Sequence, residues 1–184
     1  MRDDSSQKKW KKLSQKLLFT HPRLSVYEDD VELPSGHKTS YIHFGETHNT
    51  ATVVAIDDQG RLLVQKEYSY PSDTWLYQFP GGAIEKGETP EQGAMRELAE
   101  EAQLTGTLEF LSWHYSDHRR KASRFYIFVA RDLSEKIEAS DIEEEFESYW
   151  FTPAEIEEMI ARDDIINSSF LATWATYKAK LKAE

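Results

Sequence analysis

Apolar positions along this chain change their period several times, and each change marks an element. Residues 7–18 place Trp10, Leu13 and Leu17 at helical spacing among lysines, which predicts a short amphipathic helix. Residues 23–33 (RLSVYEDDVEL) and 38–44 (KTSYIHF) read as two strands about the turn Pro34-Ser35-Gly36. TATVVAID (50–57) and RLLVQKEYSY (61–70) form a second pair around Asp57-Asp58-Gln59-Gly60. WLYQF (75–79) is a further short strand that runs into Pro80-Gly81-Gly82. A helix is predicted after Thr89: threonine suits the N-cap, Pro90 the first helical position, and Glu91 the positive helix start. Ala94, Leu98 and Ala102 give that helix its apolar stripe. TLEFLSW, SRFYIFVARDL and EFESYWF then read as strands. Thr152, Pro153 and Glu155 repeat the helix-start signature for residues 153–161, and a last helix is predicted over about 168–182. The order β-rich, helix, β-rich, helix, helix predicts an α+β fold in α/β/α layers.

Composition narrows the chemistry. The 184 residues suit one ordinary core, and with 39% hydrophobic residues the chain is of globular type. Cysteine is absent, which excludes disulfides, thiolate zinc sites and cysteine nucleophiles. Together with the charged N-terminus, MRDDSSQKKWKKLSQKLLF, a poor secretory signal, this leads to the expectation of a cytoplasmic protein. No apolar run reaches the roughly 20 residues needed to span a bilayer, so no membrane association is expected. Lys and Arg total 22 against 33 Asp and Glu, a formal net charge of −11. Such a surface repels nucleic-acid backbones. An anionic substrate would need a cation between it and the protein.

The acid is concentrated in residues 82–104, GAIEKGETPEQGAMRELAEEAQL. On a helix, Glu97, Glu100 and Glu101 share one face, where like charges repel by a few tenths of a kcal/mol per pair, roughly. A divalent cation reverses that sign, and an oxygen-only cluster suits Mg2+. Pro80-Gly81-Gly82 lets the backbone bend sharply and turn a carbonyl toward a metal. Arg96 can hold a neighbouring carboxylate, and Glu88 can hold Arg96 in turn. Taken alone, a solvated charged face remains the alternative.

The full spacing is more restrictive. Gly82, Glu88, Arg96-Glu97-Leu98 and Glu100-Glu101 resemble the Nudix box, G-x5-E-x7-R-E-U-x-E-E-x-G-U with U aliphatic. Leu104 meets the last position, and Gln103 stands where the family has glycine, at the helix exit. The resemblance implies a mixed sheet between helices and hydrolysis of a nucleoside diphosphate linked to another moiety. It implies Glu97 and Glu101 as metal ligands, Glu100 as a third, the Gly81 carbonyl as a further one, and Arg96 as the residue that orients the acids. The implied cofactor is Mg2+, with Mn2+ as the alternative.

The resemblance continues through VYEDDVELPSGHKTSYIHF, ATVVAIDDQGRLLVQKEYSYP and WLYQFPGG, which are similar to the ADP-ribose pyrophosphatase and nucleoside-diphosphate-sugar hydrolase branch. In that branch N-terminal strands exchange between the subunits of a homodimer. This implies residues 1–48, a helix and strand pair, as the dimerising part and 49–184 as the hydrolase domain. An acidic loop in the branch supplies a base, here implied as Glu144, with Glu143 and Glu145 as neighbours able to replace it. Two departures broaden the expected substrate. His118-Arg119-Arg120 stands where strict ADP-ribose pyrophosphatases have a proline, and Glu67-Tyr68-Ser69 stands where a Q-x-R is usual. The expectation is hydrolysis of nucleoside diphosphate sugars, ADP-ribose among them and GDP-mannose included, to a nucleoside monophosphate and a sugar phosphate. Arg119, Arg120 and Lys121 are candidates for the phosphates or distal sugar, with an exposed turn as the alternative. Among Tyr27, Tyr41, Tyr68, Tyr70 and Trp75, the last two are the first candidates for base stacking. His114 and His118 lack a third partner for zinc. An isopentenyl diphosphate isomerase is set aside for want of a cysteine. A non-catalytic Nudix module and a hydrolase of oxidised nucleoside triphosphates are the rival readings.

Overall fold

The computed structural model describes residues 8–45, 48–136 and 146–181. The chain divides into two units, Met1–Thr47 with Asp117–Ser123, and His48–Ser116 with Arg124–Glu184.

The first unit is a three-stranded antiparallel sheet, β1 (Lys11–His21), β2 (Leu24–Glu32) and β3 (Lys38–Phe44), in sequence order. The helix expected over residues 7–18 is therefore corrected: residues 11–18 lie in a strand. Leu13 and Leu17 are four apart, which satisfies a helical stripe and a two-residue alternation equally. Pairing with β2 decides between them. Ser14 donates to Asp30 at 2.6 Å, Gln15 to Asp29 at 2.8 Å, and Lys12 lies 3.6 Å from Asp29. Lys16 faces Glu28 across the ladder. These polar pairs across the hairpin have no counterpart in an isolated helix. The segment 117–123 joins this sheet through its backbone, with Phe44 N–H donating to the Arg120 carbonyl at 2.8 Å.

The second unit holds a four-stranded sheet, β7-β4-β9-β8, and a three-stranded sheet, β10-β5-β6. Their strands are β4 (Thr50–Ala55), β5 (Leu62–Ser69), β6 (Thr74–Gln78), β7 (Gly81–Ala83), β8 (Leu104–Tyr115), β9 (Arg124–Glu135) and β10 (Glu147–Phe151). β4 and β9 run parallel, and every other pair is antiparallel. Alternate residues of the central strands serve opposite cores. Val53, Ala55 and Phe128 pack with Ala94 and Leu98 of α1 (Pro90–Ala102). Val54, Ile127 and Val129 pack with Ile156 of α2 (Pro153–Ala161) and with Phe170 and Trp174 of α3 (Ser168–Leu181). Both faces are covered, which is why ATVVA reads as a continuous apolar run. No helix among the described residues is long and apolar enough to cross a membrane.

Candidate active site

Local sequence starts the acidic helix at a definite residue. The Thr89 hydroxyl accepts the Gln92 N–H at 3.2 Å while the Gln92 side chain accepts the Thr89 N–H at 2.8 Å, a complete capping box ahead of Pro90. The buried stripe of Ala94 and Leu98 then sets the rotation of the helix, placing Arg96, Glu97, Glu100 and Glu101 away from the apolar core it covers. Gln103 closes the helix in the left-handed region, φ 55° and ψ 36°, and donates its N–H to the Ala99 carbonyl at 3.0 Å. A glutamine here adopts the conformation that glycine takes at no steric cost.

The strand β7 begins at the bend Pro80-Gly81-Gly82. The Pro80 carbonyl is held twice by β4, accepting the Val53 N–H at 2.8 Å and the Thr52 hydroxyl at 3.1 Å. Gly81, with φ 151°, lies so close to β4 that a Cβ would stand 2.6 Å from Thr52 Cα. Its N–H donates to Glu101 Oε2 at 2.9 Å. Gly82 lies against the Glu97 carboxylate, which is 8% exposed.

Arg96 is the hub of the acids. Its Nε and Nη2 reach the two oxygens of Glu88 at 2.9 and 3.3 Å, and Nη1 donates to Glu97 Oε1 at 2.9 Å and Glu100 Oε2 at 2.8 Å. Nη2 also donates to the Ala83 carbonyl at 2.8 Å, tying α1 to β7. Glu88 accepts a third bond, from the Glu85 N–H, at 2.8 Å. The Glu88 hydrogen bonds lead in holding the guanidinium protonated above its ordinary range, with Glu100 and Glu97 adding to them against the opposing effect of burial. The same contact with Arg96 holds the Glu88 carboxyl below its ordinary range.

Among the described residues no group of three acidic or histidine side chains encloses an ion, because Arg96 draws Glu97 and Glu100 to itself and Gly81 draws Glu101. The donor set nevertheless fits a hard cation. It is carboxylate oxygen throughout, and one guanidinium offsets four glutamates, leaving a local excess of negative charge. The absent side chain at Gly82 is what lets the Glu97 carboxylate sit against the bend.

The other expected residues are spread more widely. Tyr70 begins a short 3-10 turn and is 85% exposed. Trp75 lies on β6 in a tilted contact with Tyr68, ring centroids 5.8 Å apart. Arg119 and Arg120 belong to the first unit: the Arg119 carbonyl accepts the Tyr41 hydroxyl, and Arg120 Nη1 donates to the Ile42 carbonyl at 2.8 Å. His114 stacks on Phe125, and burial pushes its pKa down. Glu143, Glu144 and Glu145 lie outside the described residues. Sequence reasoning missed Gln65, whose fully buried amide donates to the Glu101 carbonyl at 3.2 Å and steadies the end of α1. The signal was present: Gln65 is a polar residue closing the apolar run Leu62-Leu63-Val64.

A model of the family described as NUDIX domain matches residues 46–173. The ADP-ribose pyrophosphatase of Bacillus subtilis (strain 168) is 29% identical over 136 residues, covering 73% of each chain. The methanol dehydrogenase activator of Bacillus methanolicus is 30% identical over 132 residues, 70% of this chain and 69% of its own. The crystal structure of an ADP compounds hydrolase shares the fold with a TM-score of 0.89 over 97% of both chains, at 23% identity. The glycine bend, the arginine-centred acids and the family match agree, and the chain belongs to the NUDIX domain family.

Proposed function

We propose that this chain hydrolyses the pyrophosphate bond of nucleoside diphosphate sugars, ADP-ribose among them, releasing a nucleoside monophosphate and a sugar phosphate. The observation that carries the reading is the arrangement around Arg96, one guanidinium forked among Glu88, Glu97 and Glu100 beside a glycine bend that engages Glu101. The similarity to the B. subtilis ADP-ribose pyrophosphatase supports the substrate class.

In this reading Glu97, Glu101, Glu100 and the Gly81 carbonyl hold a divalent cation, Mg2+ with Mn2+ as the alternative. Such an ion, when bound, supplies positive charge against the diphosphate and makes the attacking water more acidic. Arg96 fixes the directions of the Glu97 and Glu100 carboxylates, and Gly81 N–H fixes one oxygen of Glu101. Carboxylates held this way have only a short distance to move when an ion binds. Glu144 is proposed as the base that takes the proton from the attacking water, on the family resemblance alone, with Glu143 and Glu145 beside it. Tyr70 and Trp75 offer aromatic faces, and Arg119 and Arg120 offer charge for the phosphates.

We also propose a homodimer built through the first unit. β1 is exposed along its whole length, and Leu13, Leu17, Leu18 and Phe19 present apolar surface from both faces of the strand. An uncovered apolar edge strand calls for a partner. A single species of monomer mass at micromolar concentration in sedimentation would overturn the dimer.

The activity is tested by incubating the protein with Mg2+ and ADP-ribose, ADP-glucose, GDP-mannose or NADH and identifying the products. Cleavage of triphosphates only would overturn the substrate class. Glu101→Gln is expected to lower kcat by about 100-fold or more, whereas a pure sugar-nucleotide binder has no turnover to lose.

A further inference from the structure

Two hydrogen bonds fix where α3 begins. Asn167 donates its amide to the Tyr77 carbonyl at 2.8 Å and accepts the Phe170 N–H at 3.1 Å. Phe170 then stacks on Phe79, centroids 4.3 Å apart, immediately before the Pro80-Gly81-Gly82 bend. The first turns of α3 are thereby held beside β5, β6 and the bend.

A cleft of about 440 Å³ opens here, lined by Glu67, Ser69, Tyr70, Leu76, Gln78 and Ser169 among others. Gln78 and Ser169 also line a smaller cavity of about 60 Å³, which adds Thr52, Thr173 and Gly81. The shared residues set the two cavities side by side, between exposed Tyr70 and the glycine whose N–H binds Glu101. The larger volume is in the range of a small-molecule site.

The lining specifies the chemistry. Among the described residues no lysine, arginine or histidine lines either cavity. A phosphate would find no counter-charge there and would meet the Glu67 carboxyl instead. Thr173 is 1% exposed, and its hydroxyl has no hydrogen-bond partner among the described residues. Three residues on, Thr176 donates to the Ala172 carbonyl at 2.8 Å, the usual bond of a helical threonine. Thr173 keeps its hydroxyl uncommitted, and a buried hydroxyl left unpaired costs roughly 1–3 kcal/mol. Glu67 is half-buried beside Gln78, whose side chain hydrogen-bonds to it. A carboxyl, a carboxamide, hydroxyls and an aromatic rim together accept and donate many hydrogen bonds without net attraction for an anion.

We infer that this cleft holds the uncharged, polyhydroxylated glycosyl group of the sugar nucleotide, with Glu67, Gln78, Ser169 and Thr173 binding its hydroxyls and Tyr70 flanking its ring. The inference rests on the proposed hydrolase activity. Gly81 marks the end from which the diphosphate meets the carboxylates of α1.

The test compares ADP-ribose and ADP-glucose with ADP β-methyl ester, which keeps the diphosphate and replaces the sugar by a methyl group. Glu67→Gln, Thr173→Val and Ser169→Ala are each assayed with Mg2+. KM for both sugar-bearing substrates is expected to rise about 5- to 10-fold in each variant, the loss of about one hydrogen bond or contact. KM for the methyl ester is expected to change by less than about two-fold, and kcat to hold. Thr173→Val is nearly isosteric and Ser169→Ala removes a single hydroxyl, so neither variant depends on tolerance of the fold. Equal effects on all three substrates, or none, would overturn the inference while leaving the hydrolase reading intact. So would a change in preference between ADP- and GDP-linked substrates with the sugar preference unaltered, which would mark a base site. Wild-type protein inert toward all three substrates would overturn the hydrolase reading and the inference with it.

Discussion

Gly82 and Glu97 occupy space that leaves no room for another side chain. A Cβ on Gly82 would lie 2.5 Å from Glu97 Oε1 and 2.8 Å from Oε2. Glu97 is nearly buried, so its carboxylate has little freedom to swing clear. Gly82→Ala therefore displaces a proposed metal ligand while changing neither charge nor hydrogen-bonding groups. The expected result is a fall in kcat/KM of about 100-fold with an unchanged circular dichroism spectrum. A variant as active as wild type would remove Glu97 from the proposed ligand set.

Arg96→Lys keeps the charge and loses the fork. An ammonium cannot reach Glu88, Glu97, Glu100 and the Ala83 carbonyl together, as the guanidinium does. The expected loss of stability is about 1–2 kcal/mol in urea unfolding, with kcat lowered about ten-fold or more. An unaltered kcat would mean that the carboxylates need no orienting.

Gln103 holds a left-handed conformation at the exit of α1. Strain there costs a non-glycine residue roughly 1 kcal/mol, partly offset by the greater chain entropy of glycine when unfolded. Gln103→Gly is expected to raise Tm by about 1–3 °C in calorimetry. A lower Tm would show that the glutamine side chain makes up the difference.

Burial raises the Glu67 carboxyl above its ordinary value of 4.5, against the lowering effect of Gln78. As pH rises the unfolded chain ionises first, so the folded state loses stability from the ordinary carboxylate range through the raised folded value, and does not regain it above. Glu67→Gln removes this dependence. Its urea midpoint is expected to exceed that of wild type at pH 8 and to match it at pH 3.5. Parallel midpoints at both pH values would show that Glu67 ionises as freely folded as unfolded.

Much of the site was legible because its signals are local. Thr89, Pro90 and Gln92 start a helix through bonds spanning three residues, and the spacing of Glu97, Glu100 and Glu101 then follows from helical geometry. The two glycines announce a bend wherever they stand in a fold. Gln65 was passed over because one polar residue in an apolar strand has no meaning until its partner, the Glu101 carbonyl 36 residues away, is known. The three-residue strand β7 was missed for a similar reason, since it exists only by pairing with β4.

By itself the amino-acid sequence determined where α1 and α2 begin and which acids share a helical stripe. Each of these depends on dihedral preferences and contacts within a few residues. Tertiary structure alone decided that residues 11–21 pair as a strand, that segment 117–123 joins the N-terminal sheet, and that Glu67, Gln78, Ser169 and Thr173 line two adjoining cavities. Those outcomes depend on partners tens of residues distant, whose hydrogen bonds and packing outweigh the weak preferences of any short segment.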